Sequence, residues 1–325
     1  MATIYEKLKA YSDSDYYGFH MPGHKRKMHM SWDADPYTVD ITEIEGFDDL
    51  HHAEGILKEA QERAARIYHA DETHFLVNGS TAGILSAVMG CTHRGDKILV
   101  ARHCHKSIYH AIYMNGLVPR YVYPEFDISM HMNGEISKED VAKALAAEPD
   151  IKAVVIVSPN YDGVVSDVKG IAEVAHSYRI PLIVDEAHGP HFGFHPAFPG
   201  RANDLGADVV INSLHKTLPS LTQTAILHIN GKLANRRRIK KYLDMLQSSS
   251  PSYILMASMD ACMEKMSSDG NEMFREFTKI LEKTRRRLSE CKYIRLVSPE
   301  IGTAGVFDYD RSKLLFSTQI GRAHV

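Results

Sequence analysis

Cysteine is scarce in this sequence, with four among 325 residues. Cys91, Cys104, Cys262 and Cys291 are scattered and form no Cys-x-x-Cys pair. That argues against a zinc ribbon or a disulfide scaffold and fits a reducing compartment. Long hydrophobic runs are missing as well. No stretch approaches the ~20 apolar residues that span a bilayer, and Met1–Tyr17 is polar, without the apolar segment of a secretory signal. A cytoplasmic protein is expected. Nor is there an excess of charge of either sign: 38 Lys and Arg stand against 41 Asp and Glu, a formal net charge of −3. Nothing therefore draws the chain as a whole to nucleic acid or to an anionic membrane. Two basic clusters, Arg236–Arg238 with Lys240 and Lys241, and Arg285–Arg287, lie in helix-like stretches without interleaved aromatics and read as solvated faces. Internal repeats and low-complexity linkers are absent too.

What is there is an ordinary globular composition, 44% apolar and 24% charged, long enough to bury a large core and to hold one large domain plus part of another. From about Thr73 to Ile229 short Val/Ile-rich runs alternate with helical stretches. Strands are predicted at Thr73–Val77, Lys97–Ala101, Arg120–Tyr123, Ala153–Val157, Leu182–Asp185, Val209–Ser213 and Ala225–Ile229, and helices at Ala82–Met89, Lys106–Met114, Lys138–Ala147 and Val168–Tyr178. The strand runs are continuously apolar rather than alternating, as strands buried on both faces are. That predicts an α/β fold, a mostly parallel sheet between two helical layers. Residues 1–50 read as an irregular N-terminal arm and 51–270 as the major domain. Lys232–Glu290 reads as long helices broken near Ser248–Ser252. Residues 271–325 read as the start of a small C-terminal α/β domain that is cut short. Ile320–Val325 matches the translation of a common sequencing adapter and is expected to be non-native.

Four segments carry chemistry, each at a predicted strand end, which is where open parallel sheets bind ligands. Asn78-Gly79-Ser80-Thr81 joins a strand to a helix. Its glycine lets backbone approach a ligand, and the helix start offers free N–H groups for a phosphate; alone, Ser and Thr there are ordinary caps. His103-Cys104-His105-Lys106-Ser107 places His105 where a ring could stack on a flat cofactor, although a lone histidine is more often structural. Asp185-Glu186-Ala187-His188 ends an apolar strand with an acid able to pair with a protonated pyridine nitrogen. The same letters form a helicase box, but that needs a Gly-x-x-x-x-Gly-Lys-[Ser/Thr] loop, and the chain has none. Ser213-Leu214-His215-Lys216 follows a buried strand. Desolvation there frees a lysine amine for a Schiff base, and Ser213 and His215 stand beside it as phosphate donors; alone, Lys216 is a loop lysine. His188, His191 and His195 invite a metal reading, but Gly189, Pro190 and Gly193 break any helix that would present them together, so no metal is expected.

The order of these segments resembles fold-type-I pyridoxal-phosphate (PLP) enzymes, with the aspartate-aminotransferase-like fold. The wording resembles the ornithine/lysine/arginine decarboxylase family through Gly18-Phe-His-Met-Pro-Gly-His-Lys25, Glu45-Gly-Phe-Asp-Asp-Leu-His51, His105-Lys-Ser107, Ser158-Pro-Asn-Tyr-Asp-Gly163 and Ser213-x-His215-Lys216. The likeness spans roughly Tyr16 to Ile229. It implies a three-layer αβα PLP-binding domain in which Lys216 holds the cofactor and Asp185 pairs with its ring nitrogen. His105 would stack on the ring, and Gly79, Ser80, Thr81, Ser213 and His215 would hold the phosphate. His188 would lie on or near the other ring face, where several relatives carry a different aromatic. The His20–Lys25 segment is expected near the active site, and a homodimer at least. The implied reaction is decarboxylation of lysine, arginine or ornithine to a polyamine-type amine, with His215 or Lys216 as proton donor. Transamination, β-elimination or an inactive fragment are the alternatives. Glu43, Glu45, Asp48 and Asp49 are candidates for a basic side chain's partner.

Overall fold

The computed structural model describes residues 3–26, 35–128, 132–303 and 305–318; Ile320–Val325, read above as non-native, lies outside them. The predicted strands form one seven-stranded sheet. Its order is Glu72–Leu76, Ala225–Ile229, Val209–Asn212, Leu182–Asp185, Val154–Val157, Lys97–Ala101, Val118–Val122. The last five pair in parallel. Ala225–Ile229 runs antiparallel between Val209–Asn212 and Glu72–Leu76. The sheet is therefore mostly parallel, as the buried apolar runs at its centre led one to expect.

Alternate side chains of each strand enter different cores, because successive strand residues point to opposite faces. Ile98 and Val100 pack with Ile84 and Val88 of helix Gly79–Cys91 and Ile108 of helix Lys106–Asn115. Leu99 and Ala101 pack on the other face with Val141 and Leu145 of helix Lys138–Ala147 and Ile171 of helix Val168–Ser177. A third core joins Phe75 and Ile226 to helix Ile56–Tyr68 and to Met256, Met259 and Met263 of the 37-residue helix Tyr253–Ser289. The architecture is three-layered, αβα.

The N-terminal arm differs from its irregular reading. Ile4–Ser12 is a helix whose start is a reciprocal cap, Thr3 Oγ1 accepting from Glu6 N–H while Glu6 accepts from Thr3 N–H. The Thr-x-x-Glu signal was in the sequence. The helix buries none of its residues, and the absence of an apolar stripe hid it. The long helical region breaks where expected, between Arg236–Leu246 and Tyr253–Ser289, and the second helix runs without interruption through residue 270. Beyond it, Ile294–Leu296 pairs with Phe316–Thr318, and Asp308–Tyr309 pairs antiparallel with Val164–Val165. Among the described residues no helix is long and apolar enough to cross a membrane.

Candidate functional site

Strand register brings the four chemical segments to one edge. Leu76 stands opposite Ala225, Ile226 opposite Asn212, Ile211 opposite Asp185, and Asp185 opposite Val157. The segments after Leu76, Val157, Asp185 and Asn212 therefore leave the sheet side by side, and the segment after Ala101 leaves the same edge further along. Gly79, His105, Asp185 and Lys216 all lie on this carboxyl edge.

At its centre Asp185 is 3% exposed. Its Oδ1 accepts from Ala187 N–H at 3.1 Å, the one hydrogen bond of its carboxylate among the described residues. Burial pushes its carboxyl above the usual range, against the opposing pull of Lys216, the Ala187 N–H and His105. The neighbouring Glu186 faces away into the core. It accepts from Ala202 N–H at 2.9 Å and Asn212 Nδ2 at 3.0 Å, and burial raises it to about 8. Only the first acid of the Asp-Glu pair faces the site.

Lys216 sits in the short helix Leu214–Thr217 just past the strand Val209–Asn212, half-buried. Burial lowers its amine below the usual lysine range; Asp185 opposes that shift and Lys313 adds to it. Lys216 Nζ lies 3.0 Å from His188 Nε2, and the opposite ring nitrogen, Nδ1, lies 3.1 Å from Lys313 Nζ. Burial, then the two lysines, drive His188 down to about 2. Tyr161 meets the His188 ring edge-on, centroids 5.5 Å apart.

The phosphate-type donors flank this centre. Gly79 has φ +74°, a left-handed conformation that costs glycine nothing, and it opens helix Gly79–Cys91. The N-cap Asn78 makes no side-chain cap bond, and neither the Ser80 nor the Thr81 hydroxyl hydrogen-bonds to another described residue. Ser213 is fully buried with its Oγ unpartnered among the described residues. A buried hydroxyl without a partner costs roughly 1–3 kcal/mol, so this atom suits a bound anion. His215 Nδ1–H donates to Thr224 C=O at 2.9 Å. The neutral ring therefore presents Nε2 as an acceptor and donates from it only as imidazolium, which burial disfavours. His105 caps helix Lys106–Asn115, its Nδ1 accepting from Ser107 N–H at 3.2 Å, with its ring exposed at the mouth. An uncapped helix start, an orphaned hydroxyl, a buried carboxyl and a desolvated amine form a donor set that fits PLP.

The His20–Lys25 segment does reach this region. Gly23 N–H donates to His215 C=O at 2.7 Å, and a Cβ at Gly23 would stand 2.8 Å from the Leu218 carbonyl oxygen. The acidic stretch divides. Asp48 accepts from the N–H groups of Asp49, Glu54, Gly55 and Leu57, and Asp49 from His51 N–H. Both are taken up in shaping their own loop, whereas Glu45 is exposed and Glu43 is half-buried, accepting from the Thr42 hydroxyl. Among the described residues no group of three or more His, Cys, Asp or Glu is arranged to hold a metal. His188 bridges two lysines, while His191 pairs with Asp310 at 3.3 Å and with Thr217 Oγ1 at 3.1 Å.

Sequence reasoning missed Asp310 and Lys313. Both belong to the tail, which showed only weak strand patterning. The available signal was Asp310-Arg-Ser-Lys313, an acid and a lysine three apart after a short apolar run, and such a pair is common on surfaces.

Residues 2–313 match the family described as Orn/Lys/Arg decarboxylase, major domain. Over 323 residues the chain is 38% identical to the arginine decarboxylase of Bacillus subtilis, covering 97% of this chain and 66% of that one. Lysine decarboxylase A from Pseudomonas aeruginosa superposes with a TM-score of 0.68 at 27% identity, over 94% of this chain and 46% of that one. The Francisella novicida lysine decarboxylase LdcF gives 0.73 at 22% identity, over 93% and 46%, a likeness of fold. The chain thus spans just under two thirds of the arginine decarboxylase and under half of the two solved structures. With the sheet edge and its donor set in place, the chain belongs to the ornithine/lysine/arginine decarboxylase family, in its major domain, and the cofactor this implies is pyridoxal 5′-phosphate.

Proposed function

We propose that the chain is the cofactor-carrying part of an enzyme that removes the α-carboxylate of a basic amino acid as CO2 and leaves the corresponding polyamine-type amine. Arginine is the first substrate to test, on the strength of the arginine decarboxylase relative. The observation that carries the reading is the half-buried Lys216 amine at the same sheet edge as the buried Asp185 carboxyl.

Bound there, PLP supplies an aldehyde that condenses with amines and a ring that takes up electrons as a bond at the amine-bearing carbon breaks. Lys216 is the attachment amine, and burial favours its uncharged, nucleophilic form. Asp185 holds a proton on the ring nitrogen; a fixed carboxylate in a dry site does this more strongly than one in water. Ser213 Oγ, the Ser80 and Thr81 hydroxyls and the free N–H groups beginning at Gly79 take the phosphate. His105, at the mouth, would stack on the ring, and His188, beside Lys216, would lie near it. His215 reaches the phosphate from Nε2 once protonated. Replacing a carboxylate by hydrogen consumes one proton at Cα, which Lys216 Nζ would deliver, or His215 Nε2 when it is protonated and not engaged by the phosphate. The same reading makes the protein cytoplasmic and at least a homodimer.

The test is an absorbance spectrum with added PLP, borohydride reduction and mass mapping, then CO2 release from arginine, lysine and ornithine without any keto acid. A pyridoxyl adduct on Lys216 and CO2 from one basic amino acid are expected. An adduct on another lysine, or turnover that requires a keto acid, overturns the reading.

A further inference from the structure

The contacts of His188 constrain the charge on the lysine beside it. Its ring lies between two amines, Lys216 Nζ at 3.0 Å from Nε2 and Lys313 Nζ at 3.1 Å from Nδ1. A neutral imidazole has one N–H and one lone pair, and an ammonium only donates. Two ammonium groups would need two ring acceptors, so both contacts are hydrogen bonds only if at least one amine is uncharged. Lys313 is faced by two carboxylates, Asp310 on its own segment and Asp162 from the loop before Val164–Val165. Lys216 is faced by one, Asp185, and by His105, His188 and the Lys313 charge itself. Burial lowers both amines, but Lys216 has one facing carboxylate and a neighbouring cation, whereas Lys313 has two facing carboxylates. The charge therefore belongs on Lys313.

Lys313 is firmly placed. Asp308–Tyr309 pairs with Val164–Val165, Asp310 N–H donates to Gly163 C=O at 2.8 Å, and Arg285 of the long helix donates to the carbonyls of Arg311 and Lys313 at 3.0 and 3.1 Å.

We propose that Lys313 is a positioning residue for Lys216: its ammonium donates to His188 Nδ1, which fixes the proton on Nε2 and directs it at the lone pair of an uncharged Lys216. This rests on the reading of Lys216 as the cofactor-bearing lysine. Burial and the Lys313 charge hold His188 neutral, which the arrangement needs.

The experiment measures Lys216 reactivity in the cofactor-free 325-residue chain, by competitive acetylation across pH with mass mapping, in wild type, Lys313→Met and Lys313→Arg. Removing the neighbouring charge should raise the midpoint by about one pH unit or more, and arginine should restore it to within about 0.3 unit. A midpoint unmoved in Lys313→Met, or moved equally in Lys313→Arg, overturns the proposal. If Lys313→Met does not fold, ¹⁵N NMR of wild-type His188 decides: a bare Nδ1 with a protonated Nε2 supports the proposal and the reverse tautomer overturns it. Borohydride trapping on wild type separates the two readings. A pyridoxyl label away from Lys216 removes the function and this inference together, whereas a label on Lys216 with an unmoved midpoint removes only this inference.

Discussion

The N-terminal segment Gly18–Arg26 and the C-terminal segment Asp308–Lys313 both end against the turn that carries Lys216, and they meet it with different chemistry. The first arrives as backbone: Gly23 N–H donates to His215 C=O, and Gly23 is flush with the carbonyl of Leu218. Its Phe19 and the preceding Tyr16 and Tyr17 remain exposed. The second arrives as charge, Asp310 on His191 and Lys313 on His188, with its own backbone tied into a strand pair and an arginine. A close backbone contact can shape the turn, while a buried charge alters the protonation state of what it touches. The two segments should therefore respond differently to mutation and to pH.

Several changes break or sharpen that contrast. Lys216→Ala removes the target of both segments, and the borohydride-stable pyridoxyl adduct at that position should vanish; an unchanged adduct yield elsewhere in the site would show that neither segment is aimed at the cofactor. Next in size is Asp310→Ala, which leaves His191 buried without its acid. Losing this buried hydrogen bond to a carboxylate should cost about 1.5–3 kcal/mol, read as a shift in the urea unfolding midpoint. A cost under about 1 kcal/mol would mean that the tail is not held by its charges.

The C-terminal side should also be the acid-sensitive one. His188 has its folded pKa depressed to about 2 from 6.5, so below pH 6.5 the unfolded chain binds a proton that the folded chain does not. Stability from this group is complete above pH 6.5 and is lost as pH falls toward 2, by at most ~1.4 kcal/mol per pH unit. Between pH 7 and 5, His188→Gln should lose about 2 kcal/mol less stability than wild type. Equal losses in the two proteins would reject a neutral His188.

On the N-terminal side, Gly23→Ala pushes a methyl against backbone that cannot rotate away, and should cost about 1–3 kcal/mol with no change in the pH profile of Lys216 labelling. A shifted profile would erase the distinction between the two segments. The smallest effect belongs to Arg26→Ala, which removes a guanidinium 4.2 Å from the Tyr11 ring centroid and a bond to Tyr11 C=O at 2.9 Å. It also removes a bond to Tyr16 C=O, and at this half-buried position losing all three should cost about 1 kcal/mol and leave cofactor binding intact.

How far the sequence could be read depended on whether a residue's meaning was local. Ala153–Val157 and Leu182–Asp185 read as buried strands because unbroken apolar runs rich in Val and Ile suit few other environments. Asp185 and Lys216 could be named because each follows such a run directly, and a charge at that place is costly unless used. Strand Ala225–Ile229 was visible, but its antiparallel direction was not, since its apolar run reads the same in either direction. Asp48 and Asp49 carried the same letters as a substrate-binding acid, and only their backbone partners identify them as loop-shaping residues.

By itself, then, the sequence determined the three-layered α/β architecture and singled out the strand ends, with Asp185 and Lys216, where the chemistry is proposed, because apolar period and the cost of burying charge are properties of short segments. Only the tertiary structure decided that Lys313, 97 residues beyond Lys216, shares a histidine with it. That contact depends on Asp308–Tyr309 pairing with Val164–Val165, and no local pattern in the chain encodes which distant strand a two-residue strand will join.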